Sequence, residues 1–153
     1  MRVFGEGESP WGRRTTAPGQ TERLGAQLAQ RLVAGDVVLV RGEVGAGKTC
    51  LIRGAARALG VTDPVTSPTF SIGHRYRGEG VVVCHLDLYR LPSLMGEDPA
   101  LLSDYLGAGR IAFVEWPPSL AGPLADARWI VTLRHAGGDV RDLTVRRVAG
   151  ARP

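Results

Sequence analysis

Eight consecutive residues, Gly42-Glu43-Val44-Gly45-Ala46-Gly47-Lys48-Thr49, fit the spacing GxxxxGK[ST] in full. Their types suit one task. Glycines let the backbone turn tightly so that its N–H groups converge on phosphate oxygens, a lysine ammonium reaches the β and γ phosphates, and a hydroxyl binds Mg²⁺. Two further stretches deliver an acid at the end of an apolar run, Val81-Val82-Val83-Cys84-His85-Leu86-Asp87 and Ile111-Ala112-Phe113-Val114-Glu115. Carboxylates at strand ends beside a phosphate loop can hold a metal's water shell or orient an attacking water. Taken alone, each is equally a surface acid at a strand terminus. His85 suits a hydrogen-bonded core residue as well as a general base, and Trp116 suits core packing as well as an aromatic beside a nucleotide.

Composition adds weight to one of these residues. Eighteen of the 19 Lys plus Arg residues are arginine, so Lys48 is the only lysine, and asparagine is absent. A compact ammonium kept at one position, where every other basic position is guanidinium, points to a charge that must fit between phosphate oxygens. The same counts disfavour guanine recognition of the NKxD type, which needs an asparagine and a second lysine. ATP is the expected nucleotide.

These residues need a scaffold that brings a loop and two strand ends together. Residues 1–19 read as an irregular leader punctuated by Pro10, Gly12, Pro18 and Gly19. A helix follows over about 21–33, with Thr21 as its cap, Leu24, Leu28 and Leu32 on one face and Gly35 as its stop. A strand over 37–40, the glycine loop and a helix over about 48–59 ended by Gly60 give strand, loop, helix. Strands over 70–76 and 81–87 form a hairpin around Gly78-Glu79-Gly80, and a helix covers 97–106. A strand over 111–114 precedes a last hairpin, 129–134 with 140–146. That order predicts one α/β domain over 20–148, a parallel core extended by antiparallel strands and flanked by helices, with 149–153 as a tail.

Charge does not argue for a nucleic-acid groove. The net charge is +4 over 153 residues, but residues 16–140 hold twelve basic and twelve acidic side chains, and the excess sits in the two ends. No apolar run approaches the roughly 18 residues that span a bilayer, and Met1 to Gly12 carry charges and glycines where a signal peptide needs an apolar stretch. The expected location is the cytosol. Cys50 and Cys84 lack CxxC spacing and are expected as free thiols.

Several segments together resemble the TsaE (YjeE) family, small ATPases of bacterial tRNA threonylcarbamoyladenosine biosynthesis. They are Thr21-Glu22-Arg23-Leu24-Gly25, Gly45-Ala46-Gly47-Lys48-Thr49, Arg53-Gly54, Ser67-Pro68-Thr69-Phe70, His85-Leu86-Asp87-Leu88-Tyr89-Arg90-Leu91 and Glu115-Trp116-Pro117. The resemblance implies a P-loop NTPase-like fold and Mg²⁺-dependent cleavage of ATP to ADP and phosphate. It further implies association with a TsaB–TsaD complex, through which tRNA is met indirectly. It assigns Lys48, Asp87 and Glu115 to catalysis and Thr49, Glu115 and Asp87 to the metal. Thr21, Gly45, Ala46, Gly47, Lys48, Thr49, Cys50, Thr69 and Trp116 fall to the nucleotide, with Thr69 in a switch that senses it. Cys50 departs from the hydroxyl usual after GKT, weakening a contact to the α-phosphate. Pro92 to Ser103 depart from the family pattern too. Two other readings stay open on the residues alone: a small-molecule kinase, and a non-hydrolysing nucleotide-gated or tRNA-binding module that uses the arginine-rich tail.

Overall fold

The computed structural model describes residues 11–43, 45–66, 73–88, 105–115 and 127–148. Its centre is β2 (Val37–Arg41), whose Val38 and Val40 are fully buried on one face and whose Leu39 is 7% exposed on the other. A strand covered on both sides carries no polar alternation, which is why this segment is a continuous apolar run. It pairs in parallel with β5 (Arg110–Glu115) and with β6 (Trp129–His135), and β5 pairs in parallel with β4 (Val82–Asp87). Antiparallel strands extend both edges: β3 (Gly73–Arg77) beside β4, and β7 (Arg141–Arg147) followed by β1 (Trp11–Thr15) beside β6. The sheet order is β1-β7-β6-β2-β5-β4-β3. The expected α/β architecture, a parallel core with antiparallel extensions, is therefore present.

Helices α1 (Pro18–Ala29) and α2 (Lys48–Ala58) cover one face of the sheet. Leu28 of α1 and Leu51, Ile52 and Ala55 of α2 bury themselves against Val38, Val40, Phe113 and Val131. The opposite face gathers Leu39, Cys84, Leu86, Leu88, Ala112 and Val114 into a second apolar cluster. The two helices meet backbone to backbone. A methyl group on Gly25 would collide with the carbonyl oxygen of Leu51, and one on Gly54 with that of Glu22. The Glu22 carboxylate then reaches across to Arg53 at 3.5 Å and Arg57 at 3.7 Å. This contact fixes α2, and with it the loop that opens α2, against α1.

Four expectations need correction. The leader is not irregular throughout, since Trp11–Thr15 is a strand in register with β7 from Trp11↔Val145 to Thr15↔Arg141. Thr15 is buried, and Trp11 packs against the main core. The helix starts before Thr21, with Ala17 as its cap and Pro18 in the first turn, where proline's fixed φ and missing N–H are tolerated. Its entry is held by Gln20, whose Oε1 accepts from the Thr16 backbone N–H at 2.8 Å. At the other end the helix stops at Ala29, well before Gly35, and Gly35 instead passes the chain to β2, donating its N–H to the Arg110 carbonyl at 2.7 Å. The helix expected over 97–106 does not reach its end, and the strand expected over 70–76 is described as β3 over Gly73–Arg77. The remainder of its expected span, 70–72, lies outside the described residues, as do 97–104 of the helix expected over 97–106. Tyr105, at the end of that span, is in a turn.

Candidate functional site

All three chemistry-bearing segments arrive at the same edge of the sheet, the carboxyl ends of the parallel strands. In open α/β sheets this is where ligands bind. The strand β2 runs directly into Gly42 and Glu43, and α2 begins at Lys48 with Gly47 as its cap. Gly45 and Gly47 adopt φ of +83° and +99°, a region that side chains rarely enter, so the spacing of glycines in the motif is a requirement of this turn.

Lys48 lies inside the turn rather than in solvent. It is 8% exposed, and its ammonium donates to the carbonyls of Gly42 at 2.5 Å and Glu43 at 2.9 Å. Burial lowers its pKa, an influence opposed by the nearby charges of Glu115, Asp87 and Glu43. Asp87 closes β4 and Glu115 closes β5, and the register pairs them directly, Asp87↔Glu115. Glu115 is 4% exposed. Its Oε2 is 3.4 Å from Nε2 of the fully buried His85, which stands two residues before Asp87 on β4. The structure thus joins Lys48, Asp87 and Glu115 electrostatically at one place, with Thr49 half-buried in the first turn of α2.

Thr21, Gly47 and Cys50 meet on a second side of the loop. With Pro18, Asp139 and Arg141 they line a cavity of about 60 Å³. Thr21 shares a hydrogen bond between its Oγ1 and that of Thr15 at 2.8 Å, which ties α1 to β1 behind the cavity. The Cys50 thiol donates to the Pro18 carbonyl at 3.1 Å, and burial pushes its pKa up, so it sits there as a neutral thiol. Among the described residues both cysteines are free. Arg141, at the start of β7, donates from Nη2 to the Gly45 carbonyl at 2.9 Å. Sequence reasoning named no residue of this last hairpin, and no local signal marks Arg141. Only the long-range pairing of β6 with β7 brings it back to the loop. Ala46 is fully buried beneath the turn. Thr69 and Trp116 lie outside the described residues, as do Ser67, Pro68 and Phe70 and the divergent stretch 92–103.

The donors present fit a Mg²⁺-nucleotide. Among the described residues no group of three His, Cys, Asp or Glu side chains could hold a metal alone. Mg²⁺ takes one or two carboxylates and completes its shell with water and substrate phosphates, so a paired Asp87 and Glu115 beside a phosphate loop is the expected donor set and a full protein cage is not. No helix among the described residues is long and apolar enough to cross a membrane.

A family model described as threonylcarbamoyl adenosine biosynthesis protein TsaE matches residues 15–143. The chain belongs to the TsaE family. Relatives named tRNA threonylcarbamoyladenosine biosynthesis protein TsaE include one from Streptomyces coelicolor, 40% identical over 121 residues that cover 78% of this chain and 82% of that protein. Another, from Bacillus subtilis, is 34% identical over 135 residues, 88% of this chain and 84% of the relative. The solved structure of Bacillus subtilis YdiB superposes with a TM-score of 0.75 at 29% identity, covering 92% of this chain and 87% of that one. The fold is accordingly P-loop NTPase-like. Within the TsaE match lie the loop, Asp87, Glu115 and Arg141 alike.

Proposed function

We propose that this TsaE-family chain is a cytoplasmic, Mg²⁺-dependent ATPase that supports threonylcarbamoyl modification of adenosine 37 in tRNA, acting with a TsaB–TsaD complex. The observation that carries the reading is the convergence of Lys48, in a complete phosphate loop, with Asp87 and Glu115 paired at the ends of β4 and β5. Backbone N–H groups of Gly45 to Lys48 and the N-terminus of α2 bind the phosphates. Lys48 trades its two loop carbonyls for β and γ phosphate oxygens and neutralises the charge that develops on them. Thr49 and Glu115 hold the metal, and Asp87 orders its water shell or the attacking water. Bound Mg²⁺ supplies electrostatic stabilisation to the transferring phosphoryl group. The cavity at Thr21, Cys50 and Arg141 receives the nucleoside side of the ligand, and Thr69 and Trp116 complete the set.

Slow turnover alone and completion by a partner belong to this reading. The reading is tested by following ADP and phosphate release from ATP with Mg²⁺. Wild type should release both in equal amounts, and Lys48→Ala should release neither while its circular dichroism and melting curve stay native. Full activity in Lys48→Ala overturns the assignment, and phosphate found on an added small molecule makes the chain a kinase.

A further inference from the structure

The fully buried His85 is not used in the reaction proposed above, and it is the residue whose surroundings are hardest to explain by packing alone. Its side chain is 0% exposed, and neither ring nitrogen has a hydrogen-bond partner. On the same sheet face its neighbours are Phe113 across β5 and Val83 along β4, so an apolar side chain would fill the position without stranding two polar atoms. His74 stands directly opposite on β3, yet it forms no bond with His85, and its own Nε2 is buried without a partner. One polar group does face the imidazole. The Glu115 Oε2 lies 3.4 Å from Nε2, close but not aligned as a hydrogen bond, and that carboxylate is 5% exposed. The pairing Asp87↔Glu115 makes His85 and Glu115 diagonal neighbours on one face, within reach of a long side chain.

We infer that His85 is a positioning residue for Glu115, donating from Nε2 to Oε2 so that the other carboxylate oxygen is presented to the divalent cation's shell. The inference rests on the reading of Glu115 as part of that shell. The chemistry follows from what surrounds the carboxylate. Asp87, a like charge, stands beside it in register, and the Lys48 ammonium donates to the loop carbonyls of Gly42 and Glu43. An N–H on the far side fixes the carboxylate's orientation. Nδ1 has no acceptor, so the proton belongs on Nε2, where an acceptor is within 3.4 Å. Groups that orient a metal-binding carboxylate in this way change metal affinity about 10–100-fold when removed.

The test measures Mn²⁺ binding to the full chain in the presence of ADP, by the loss of the free-ion electron paramagnetic resonance signal, and ADP binding in EDTA by calorimetry. The expected result is that His85→Leu weakens Mn²⁺ about 10–100-fold, with ADP affinity in EDTA and the melting temperature not reduced. His85→Gln, whose amide nitrogen reaches the same place, recovers most of the loss. In a Glu115→Ala background His85→Leu should have no further effect on Mn²⁺. Wild-type Mn²⁺ affinity in His85→Leu, a loss in His85→Gln as large as in His85→Leu, or additive losses in the double variant each overturn the inference. If His85→Leu does not fold, His85→Met, which also lacks an N–H donor, takes its place in each comparison. Mn²⁺ binding that depends on Glu115 but not on His85 overturns this inference alone. Mn²⁺ binding that ignores Glu115 overturns the ATPase reading and this inference with it.

Discussion

Asp87 and Glu115 stand directly opposite one another as the last residues of β4 and β5. Parallel neighbours in register place their terminal side chains on the same face at the same height, so two carboxylates from segments 28 positions apart in sequence become one paired feature. Two like charges side by side are unfavourable unless a cation answers them. Lys48 is the cation beside them: burial lowers its pKa, and the charges of Glu115 and Asp87 oppose that shift. Its ammonium also donates to the Gly42 and Glu43 carbonyls, so the turn, the lysine and the two acids form one site.

Lysine at position 48 should not tolerate its usual replacement. An 8% exposed ammonium between two loop carbonyls has space for a point charge and not for a planar fork. Lys48→Arg is expected to lower ATP turnover by at least about 100-fold, the scale seen when one stabilising donor is removed from a transition state. Its melting curve should stay native. Turnover within a few-fold of wild type contradicts the positional argument.

Gly25 and Gly54 set the distance between α1 and α2. Each lacks room for a methyl group because a backbone carbonyl of the facing helix occupies it. Gly54→Ala should destabilise the fold by about 1–3 kcal/mol despite alanine's better helix propensity, since backbone cannot yield as a side chain can. Urea denaturation measures this. An unchanged midpoint shows that the helices separate freely.

Cys50 should limit nucleotide affinity. A thiol is a poor donor, and here it is turned to the Pro18 carbonyl with a pKa raised by burial. Cys50→Ser supplies a hydroxyl at the cavity. Given a net hydrogen-bond contribution of about 0.5–1.5 kcal/mol, ATP should bind about two- to tenfold more tightly, measured by calorimetry. Equal or weaker binding shows that this side chain does not meet the ligand.

How far these features were legible in the sequence differed by element. The strand, loop and helix from Val37 to Ala58 were legible because each carries its own signal: an apolar run, glycines at fixed spacing, and a helical pattern ended by Gly60. The acids at 87 and 115 were legible as ends of apolar runs. The strand Trp11–Thr15 was not, since Trp-Gly-Arg-Arg-Thr shows no clear alternation and owes its conformation to β7, more than 120 residues away. The helix start is ambiguous in the sequence because Thr21 offers a cap signal and Pro18 a stronger one three residues earlier. Arg141 was invisible for the reason that hides most partners of a loop: its position follows from strand pairing and leaves no local mark.

Acid should loosen the β1 edge first. Arg14 holds the Asp142 carboxyl below its usual range through two hydrogen bonds, at 2.7 and 3.0 Å, and through its charge. A carboxyl whose folded pKa is depressed contributes stability above its unfolded pKa, and that contribution is lost as pH falls through the folded value. The pair is exposed, so the effect is small and weakened by salt. Hydrogen exchange in β1 should rise relative to β2 at pH below the ordinary carboxylate range, and Asp142→Asn should flatten this dependence. An identical profile in Asp142→Asn contradicts it.

ATP turnover by the purified chain with Mg²⁺, alone and with a TsaB–TsaD pair added, with Glu115→Ala as the control, tests the proposed ATPase and its proposed partner together. Slow hydrolysis alone, stimulation by the pair, and loss of both in Glu115→Ala are expected of a partner-dependent ATPase. Nucleotide binding with no hydrolysis and no response to the pair contradicts that reading.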